Sequence, residues 1–154
     1  MYPGAKGATN WWSPSYDHDL DLVFIPVLEE GMIFFPSAQT LPTTGGRSFY
    51  TAIRALDAST GKLVWEHRQE TRSGDDNTSG VMSTSGGVVF GADHGAFFAL
   101  DSRSGNLLWT VETGGVIYAP PVTFTVDGEQ FVSIISGRNL MTFALPKTAT
   151  TSPE

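Results

Sequence analysis

Short apolar runs broken by glycine, asparagine and aspartate recur along the whole chain. Val88-Val89-Phe90 follows Gly86-Gly87, Ala96-Phe97-Phe98-Ala99-Leu100 follows Asp93-His94-Gly95, and Leu107-Leu108-Trp109-Thr110-Val111 follows Ser104-Gly105. Runs of this length bounded by turn residues predict β-strands. Val122 to Val126, then Asp127-Gly128, then Gln130 to Ile135 predicts a hairpin, because Asp-Gly supplies the positive φ of a type I′ turn. Upstream, Leu22 to Leu28 and Met32 to Phe35 predict a second hairpin around Glu29-Glu30-Gly31. No window carries a helical period of useful length. Pro36 to Ser48, with Pro42, Gly45 and Gly46, predicts an inserted loop. Gln69 to Ser79, with Asp75, Asp76 and Asn77, predicts a polar one. The tail from Lys147 to Glu154 is expected to be disordered.

The pattern also repeats. Ala55-Leu56-Asp57-Ala58-Ser59-Thr60-Gly61-Lys62-Leu63-Val64-Trp65 aligns with Ala99-Leu100-Asp101-Ser102-Arg103-Ser104-Gly105-Asn106-Leu107-Leu108-Trp109, and seven of the eleven positions are identical or exchange Ser for Thr. The two tryptophans lie 44 residues apart, and Phe143-Ala144-Leu145 echoes the start of the motif 45 residues after Ala99. A period in the forties is that of a four-stranded propeller blade. The fold class is therefore all-β: a partial β-propeller over residues 1–146. It has about three four-stranded antiparallel blades, near 9–67, 79–112 and 115–145, the third lacking its outermost strand. Three blades do not close a ring, so the end faces require further blades or another copy of the chain.

Composition narrows the chemistry. The net charge of −7 disfavours a nucleic-acid groove or an anionic membrane surface as partner. The absence of cysteine excludes disulfides and zinc–thiolate sites. No run approaches the length of a membrane span, so no membrane insertion is expected, and Met1-Tyr2-Pro3-Gly4 does not read as a signal peptide. His18, His67 and His94 show no zinc-ligand spacing and read as surface or turn positions. Asp75 and Asp76 read as a solvated turn rather than a metal site. There is no Gly-x-Ser-x-Gly elbow, and no helix follows Gly86-Gly87 or Gly114-Gly115 to make a phosphate loop.

The spacing Ala-x-Asp-x-x-(Thr/Ser)-Gly-x-x-x-Trp resembles the tryptophan-docking motif of pyrroloquinoline quinone (PQQ) type propellers. Thr60-Gly61 and Ser104-Gly105 would make the turn between third and fourth strands, with Asp57 and Asp101 bonding turn amides. Trp65 and Trp109 would then pack against the neighbouring blade. Three further segments resemble quinoprotein alcohol dehydrogenases, in the order found there. They are Pro3-Gly4 through Thr9-Asn10-Trp11-Trp12 to Asp17, Ser79-Gly80 to Phe90, and Gly114-Gly115 through Ala119-Pro120-Pro121 to Val132.

This resemblance implies a C-terminal fragment of a PQQ-dependent alcohol dehydrogenase, inactive alone. The complete enzyme would be periplasmic and eight-bladed, holding PQQ with calcium or a lanthanide and oxidising a small alcohol. It also implies that Asn10 and Trp11 contact PQQ, and that Gly137, Arg138 and Asn139 lie near the last cofactor-side loop. The alternatives are that Asn10 caps a turn, that Trp11 or Trp12 fills a blade interface, and that 137–139 is a plain turn. No catalytic base and no metal ligand is assigned in this chain. Thr78 and Ser79 stand where some members carry a tryptophan. A non-enzymatic PQQ-repeat scaffold, or a partial propeller that self-assembles, is the competing reading.

Overall fold

A computed structural model describes residues 3–4, 6–34, 40–42, 50–69 and 79–145. The 147–154 tail and the Asp75-Asp76 pair lie outside the described residues.

The first blade is a four-stranded antiparallel sheet. Its strands run β1 (Ser15–Asp17), β2 (Leu22–Glu29), β5 (Tyr50–Asp57) and β6 (Leu63–Arg68) from one edge to the other. A short hairpin of β3 (Met32–Phe34) and β4 (Thr40–Pro42) is inserted between β2 and β5. This corrects two expectations. The Leu22–Leu28 run does not pair with Met32–Phe35, because both of its edges are taken. β5 ladders along its full length from Leu22↔Asp57 to Glu29↔Tyr50. The other edge is covered by β1, and farther along by the entry segment through Leu28 N–H donating to Ala8 O. The expected loop from Pro36 to Ser48 is not strand-free, since Thr40–Pro42 pairs with β3; the remainder of it falls outside the described residues.

The second blade repeats the plan with β7 (Met82–Thr84), β8 (Val88–Asp93), β9 (Ala96–Asp101) and β10 (Leu107–Glu112) in that spatial order. The repetition extends to a defect in the ladder. Leu63 pairs with Leu56 and Trp65 with Ala55, and equally Leu107 with Leu100 and Trp109 with Ala99, each with a register shift between. Such a shift bends the outer strand and re-aims its side chains. The third blade has three strands, β11 (Val122–Val126), β12 (Glu129–Ser136) and β13 (Asn139–Ala144). The Asp127-Gly128 turn joins β11 to β12 with φ of 51° and 80°, as the type I′ geometry requires.

Packing lies between sheets. Leu22, Phe24, Ile53 and Trp65 of the first blade meet Val81, Val89, Phe98 and Leu100 of the second in one buried cluster. Ala92 and Phe97 of the second meet Ile117, Val132 and Ile134 of the third in another. Trp65 is the clearest joint. Its Nε1–H donates to Ser102 O at 2.9 Å and its ring covers Gly105. Asp101 builds that platform by accepting from the Arg103 and Ser104 amides and the Ser104 hydroxyl. His67 corrects the surface assignment. It sits on β6, half-buried between blades, with its ring 5.5 Å from Phe98 and Nδ1 3.2 Å from Gly105 O. His94 is a turn residue, as its φ of 51° requires, but it is partly buried.

Candidate functional site

The loops that enter the inner strands, and those that join second to third strands, lie at one end of the blades. At the inner edge the three blades converge on Gly80. A side chain there would meet Pro120 at 2.9 Å and the Ser13 backbone at 3.0 Å, so glycine is the residue that lets them close. Val81 N–H donates to Ser13 O, and the Ser15 and Ser83 hydroxyls bond at 2.7 Å.

The segment before β1 is fastened at several points. Gly4 N–H donates to Glu30 O, Gly7 N–H to Gly4 O, and Leu28 N–H to Ala8 O. On this fastened segment Trp12 is buried while Trp11 is 62% exposed. The two rings meet at 5.9 Å, tilted by 41°. Asn10 is exposed and gives one amide N–H to Lys6 O at 3.2 Å, and its side chain also carries a second N–H and a carbonyl oxygen. Trp12 therefore takes the packing role, and Trp11 does not.

Gly137, Arg138 and Asn139 lie at the turn between β12 and β13. Gly137 has φ of 59° and donates its N–H to Val116 O, and all three residues are exposed. A web of hydroxyls holds this turn to the incoming crossover. Ser136 Oγ–H donates to Thr113 Oγ1 at 2.8 Å, with Gly115 O 3.1 Å away, and Thr113 Oγ1–H donates to Gly95 O at 2.7 Å. The contacts of Asn10 and Trp11 are with Lys6 and Trp12 respectively. The two sets of site residues thus belong to the first and third blades at the same end, and the structure does not join them directly.

Sequence reasoning passed over the Thr113–Ser136 web and the buried carboxyl of Glu30. Single serines and threonines carry no pattern of their own, and only the pairing of sheets brings these together. The Gly80 position is different, since a glycine at the head of an inner strand can be read as a point of close approach.

The family model described as outer membrane protein assembly factor BamB matches residues 7–149. The chain belongs to the PQQ-repeat β-propeller family. Within that family it is similar to quinoprotein alcohol dehydrogenases. It is 31% identical over 148 residues to the quinoprotein alcohol dehydrogenase PedH of Pseudomonas putida, covering 88% of this chain and 24% of the relative. It is 30% identical over 150 residues to a quinoprotein ethanol dehydrogenase of Pseudomonas aeruginosa, covering 88% and 23%. A solved quinohemoprotein alcohol dehydrogenase of Pseudomonas putida superposes with a TM-score of 0.73 at 25% identity, covering 90% of this chain and 23% of that one. This PQQ-repeat chain thus spans about a quarter of the length of these relatives.

PQQ is a flat, anionic, fused-ring quinone, which asks for an aromatic face, hydrogen-bond donors to its oxygens and a cation. The exposed Trp11 ring, the spare Asn10 N–H and the exposed Arg138 guanidinium are groups of those kinds. A calcium or lanthanide ion asks for six or more oxygen ligands. Among the described residues no three His, Asp or Glu side chains gather in a way that could hold one. Trp11, Asn10 and Arg138 are each of a kind that a quinone could use, and the structure does not bring them together into one site. Among the described residues no helix is long and apolar enough to cross a membrane.

Proposed function

We propose that this chain contributes blades and part of the cofactor-binding face to a PQQ-dependent alcohol dehydrogenase, the remaining blades being supplied by further polypeptide. The observation that carries this reading is the contrast between Trp12, buried at 7%, and Trp11, 62% exposed on a segment pinned by main-chain bonds. An exposed large aromatic held on a rigid mount is suited to cover a planar ligand.

When bound, the quinone supplies the acceptor for the two electrons and the hydrogen that leave an alcohol carbon. The residues of this chain bind and orient. Trp11 covers one ring face and keeps water from it. Asn10 donates its free N–H to an oxygen at the ring edge. The exposed Arg138 of the Gly137–Asn139 turn offers its cation to a carboxylate of the quinone. The base that takes the hydroxyl proton and the ligands of the metal belong to other blades, so the chain by itself is expected to oxidise no alcohol. The same kinship supports a periplasmic location and a small alcohol as the substrate of the whole enzyme.

The test is a fluorescence and absorbance titration of the purified chain with PQQ, with and without calcium. Saturable binding weakened roughly tenfold by Asn10→Ala or Trp11→Ala, the loss of about 1.4 kcal/mol, is the expected outcome. A folded chain that does not bind PQQ would leave only blade architecture here and favour a scaffold.

A further inference from the structure

The β12–β13 ladder ends at Ser136↔Asn139, so Gly137 and Arg138 alone form the turn beyond it. Gly137 has φ of 59° and Arg138 stays out of the left-handed region, the pattern of a type II′ hairpin. Such a turn is closed within its own hairpin. The direction in which it holds Arg138, relative to the other blades, must be set from outside.

The crossover between β10 and β11 supplies that hold. Gly137 N–H donates to Val116 O at 2.9 Å. A Cβ on Gly115 would lie 2.7 Å from Ser136 Oγ and 2.9 Å from Gly137 N, so the two main chains are in contact. The crossover is tied in turn to the β8–β9 turn of the second blade. Thr113 N–H donates to Gly95 O at 2.8 Å and Ile117 N–H to His94 O at 2.9 Å. A Cβ on Gly95 would lie 3.1 Å from Gly115 O. Three segments from two blades are thus stacked main chain to main chain.

Two hydroxyls run across the stack. Ser136 Oγ–H donates to Thr113 Oγ1 at 2.8 Å, and Thr113 Oγ1–H donates to Gly95 O at 2.7 Å. Each hydroxyl has one proton to give, so the chain of bonds runs from the third-blade turn through the crossover to the second-blade turn. Ser136 is buried, so water does not replace a lost partner there.

We propose that Thr113 and Ser136 are positioning residues whose hydroxyl chain sets the aim of Arg138, by locking the third-blade turn to the second blade. Neither touches the ligand. Their role rests on the reading of Arg138 as the group that meets a carboxylate of the quinone. Aim rather than bulk stability is at stake. The core between these blades is Ala92, Phe97, Ile117, Val132 and Ile134, and neither hydroxyl belongs to it. Removing them should release the turn and leave that core packed.

The experiment uses the whole isotope-labelled chain with Thr113→Val, which keeps the shape and removes the hydroxyl, Thr113→Ser, which keeps the hydroxyl, Ser136→Ala and Arg138→Gln. Amide exchange followed by NMR reads the turn without any ligand. Gly137 N–H is expected to exchange about tenfold faster in Thr113→Val and Ser136→Ala, and to stay within about twofold of the unmodified rate in Thr113→Ser, with the Val132 and Ile134 amides unchanged. Titration with PQQ reads the aim. Thr113→Val is expected to weaken binding about threefold, and to weaken it no further once Arg138→Gln is present, the non-additivity of residues that act through one another. An unchanged Gly137 rate in Thr113→Val and Ser136→Ala overturns the proposal with or without PQQ. So does an equal loss of affinity in both backgrounds, which would make the web a general support. No binding of PQQ by the unmodified chain, or equal binding by Arg138→Gln, overturns the cofactor reading of Arg138 instead. The lock itself then stands or falls on the exchange rates alone.

Discussion

Gly61 and Gly105 occupy the same place in the same turn and carry different loads. Both have φ near 70°, where an alanine costs about 1–2 kcal/mol. Only Gly105 lies beneath a ring, so Gly105→Ala also forces a close contact worth about 1–3 kcal/mol more. Urea unfolding should show Gly105→Ala clearly below Gly61→Ala in midpoint; equal losses would mean that Trp65 is not seated as described. His67 gives a pH counterpart. Burial between blades is the largest influence on it and pushes its pKa below the ordinary 6.5, against weaker upward pulls from the Gly105 carbonyl and Asp93. The unfolded chain therefore takes up a proton at a pH where the folded one does not. Stability from neutral His67 is complete above about pH 6.5 and falls as pH drops through the window beneath it. His67→Gln should flatten that part of the stability–pH curve. The scatter of the three histidines suggested surface positions, yet a histidine two residues beyond Trp65 on a strand shares the face that packs against the next blade. The turn residues were legible, because aspartate, serine or threonine, and glycine at fixed offsets declare their own hydrogen bonds.

At the level of elements, the outer strands β6 and β10 look interchangeable by sequence and are not. Trp65 is 8% exposed with its N–H bonded, and Trp109 is 39% exposed. Trp65→Ala is expected to lose about 3–5 kcal/mol, the range for a buried large aromatic. Trp109→Ala should lose roughly half of that, since it holds edge contacts but rests on no glycine platform. Thermal unfolding of the two variants compares them directly, and equal losses would count against the asymmetry. The β11–β12 hairpin was readable because its two-residue Asp-Gly turn dictates the register. The expected pairing of β2 with β3 fails for the opposite reason. Adjacency in sequence suggests it, while β2's edges are already filled by β1, β5 and the entry segment, which no local pattern reveals.

The whole molecule is an open row of sheets, and its strands differ in finish. β9 is bonded along both edges, while among the described residues β13 is bonded only to β12. Hydrogen exchange should accordingly protect β9 amides on both sides and leave about half of those in β13 unprotected, because an edge strand offers alternate amides to water. Uniform protection of β13 would mean that something covers it in solution. The repeat was visible in the sequence, since a recurring tryptophan motif marks the outer strand of the first two blades, while the inserted β3–β4 pair was not. The convergence of the three blades on Gly80 was not, because it depends on curvature accumulated over blades.

The bond from Trp65 to Ser102 also has a history within each molecule's synthesis. Its two ends are 37 residues apart, and translation delivers the acceptor about 2–7 s after the donor at ordinary rates. Through that interval the first sheet can form its ladders from local pairs, yet the face that Trp65 lies on stays wet. The ribosome-bound intermediate is thus a sheet with native hydrogen bonds and a bare aromatic face, the kind of surface that chaperones hold. Completion of each blade is timed by the emergence of the next, so the order of the repeats along the chain is also the order in which their cores become dry.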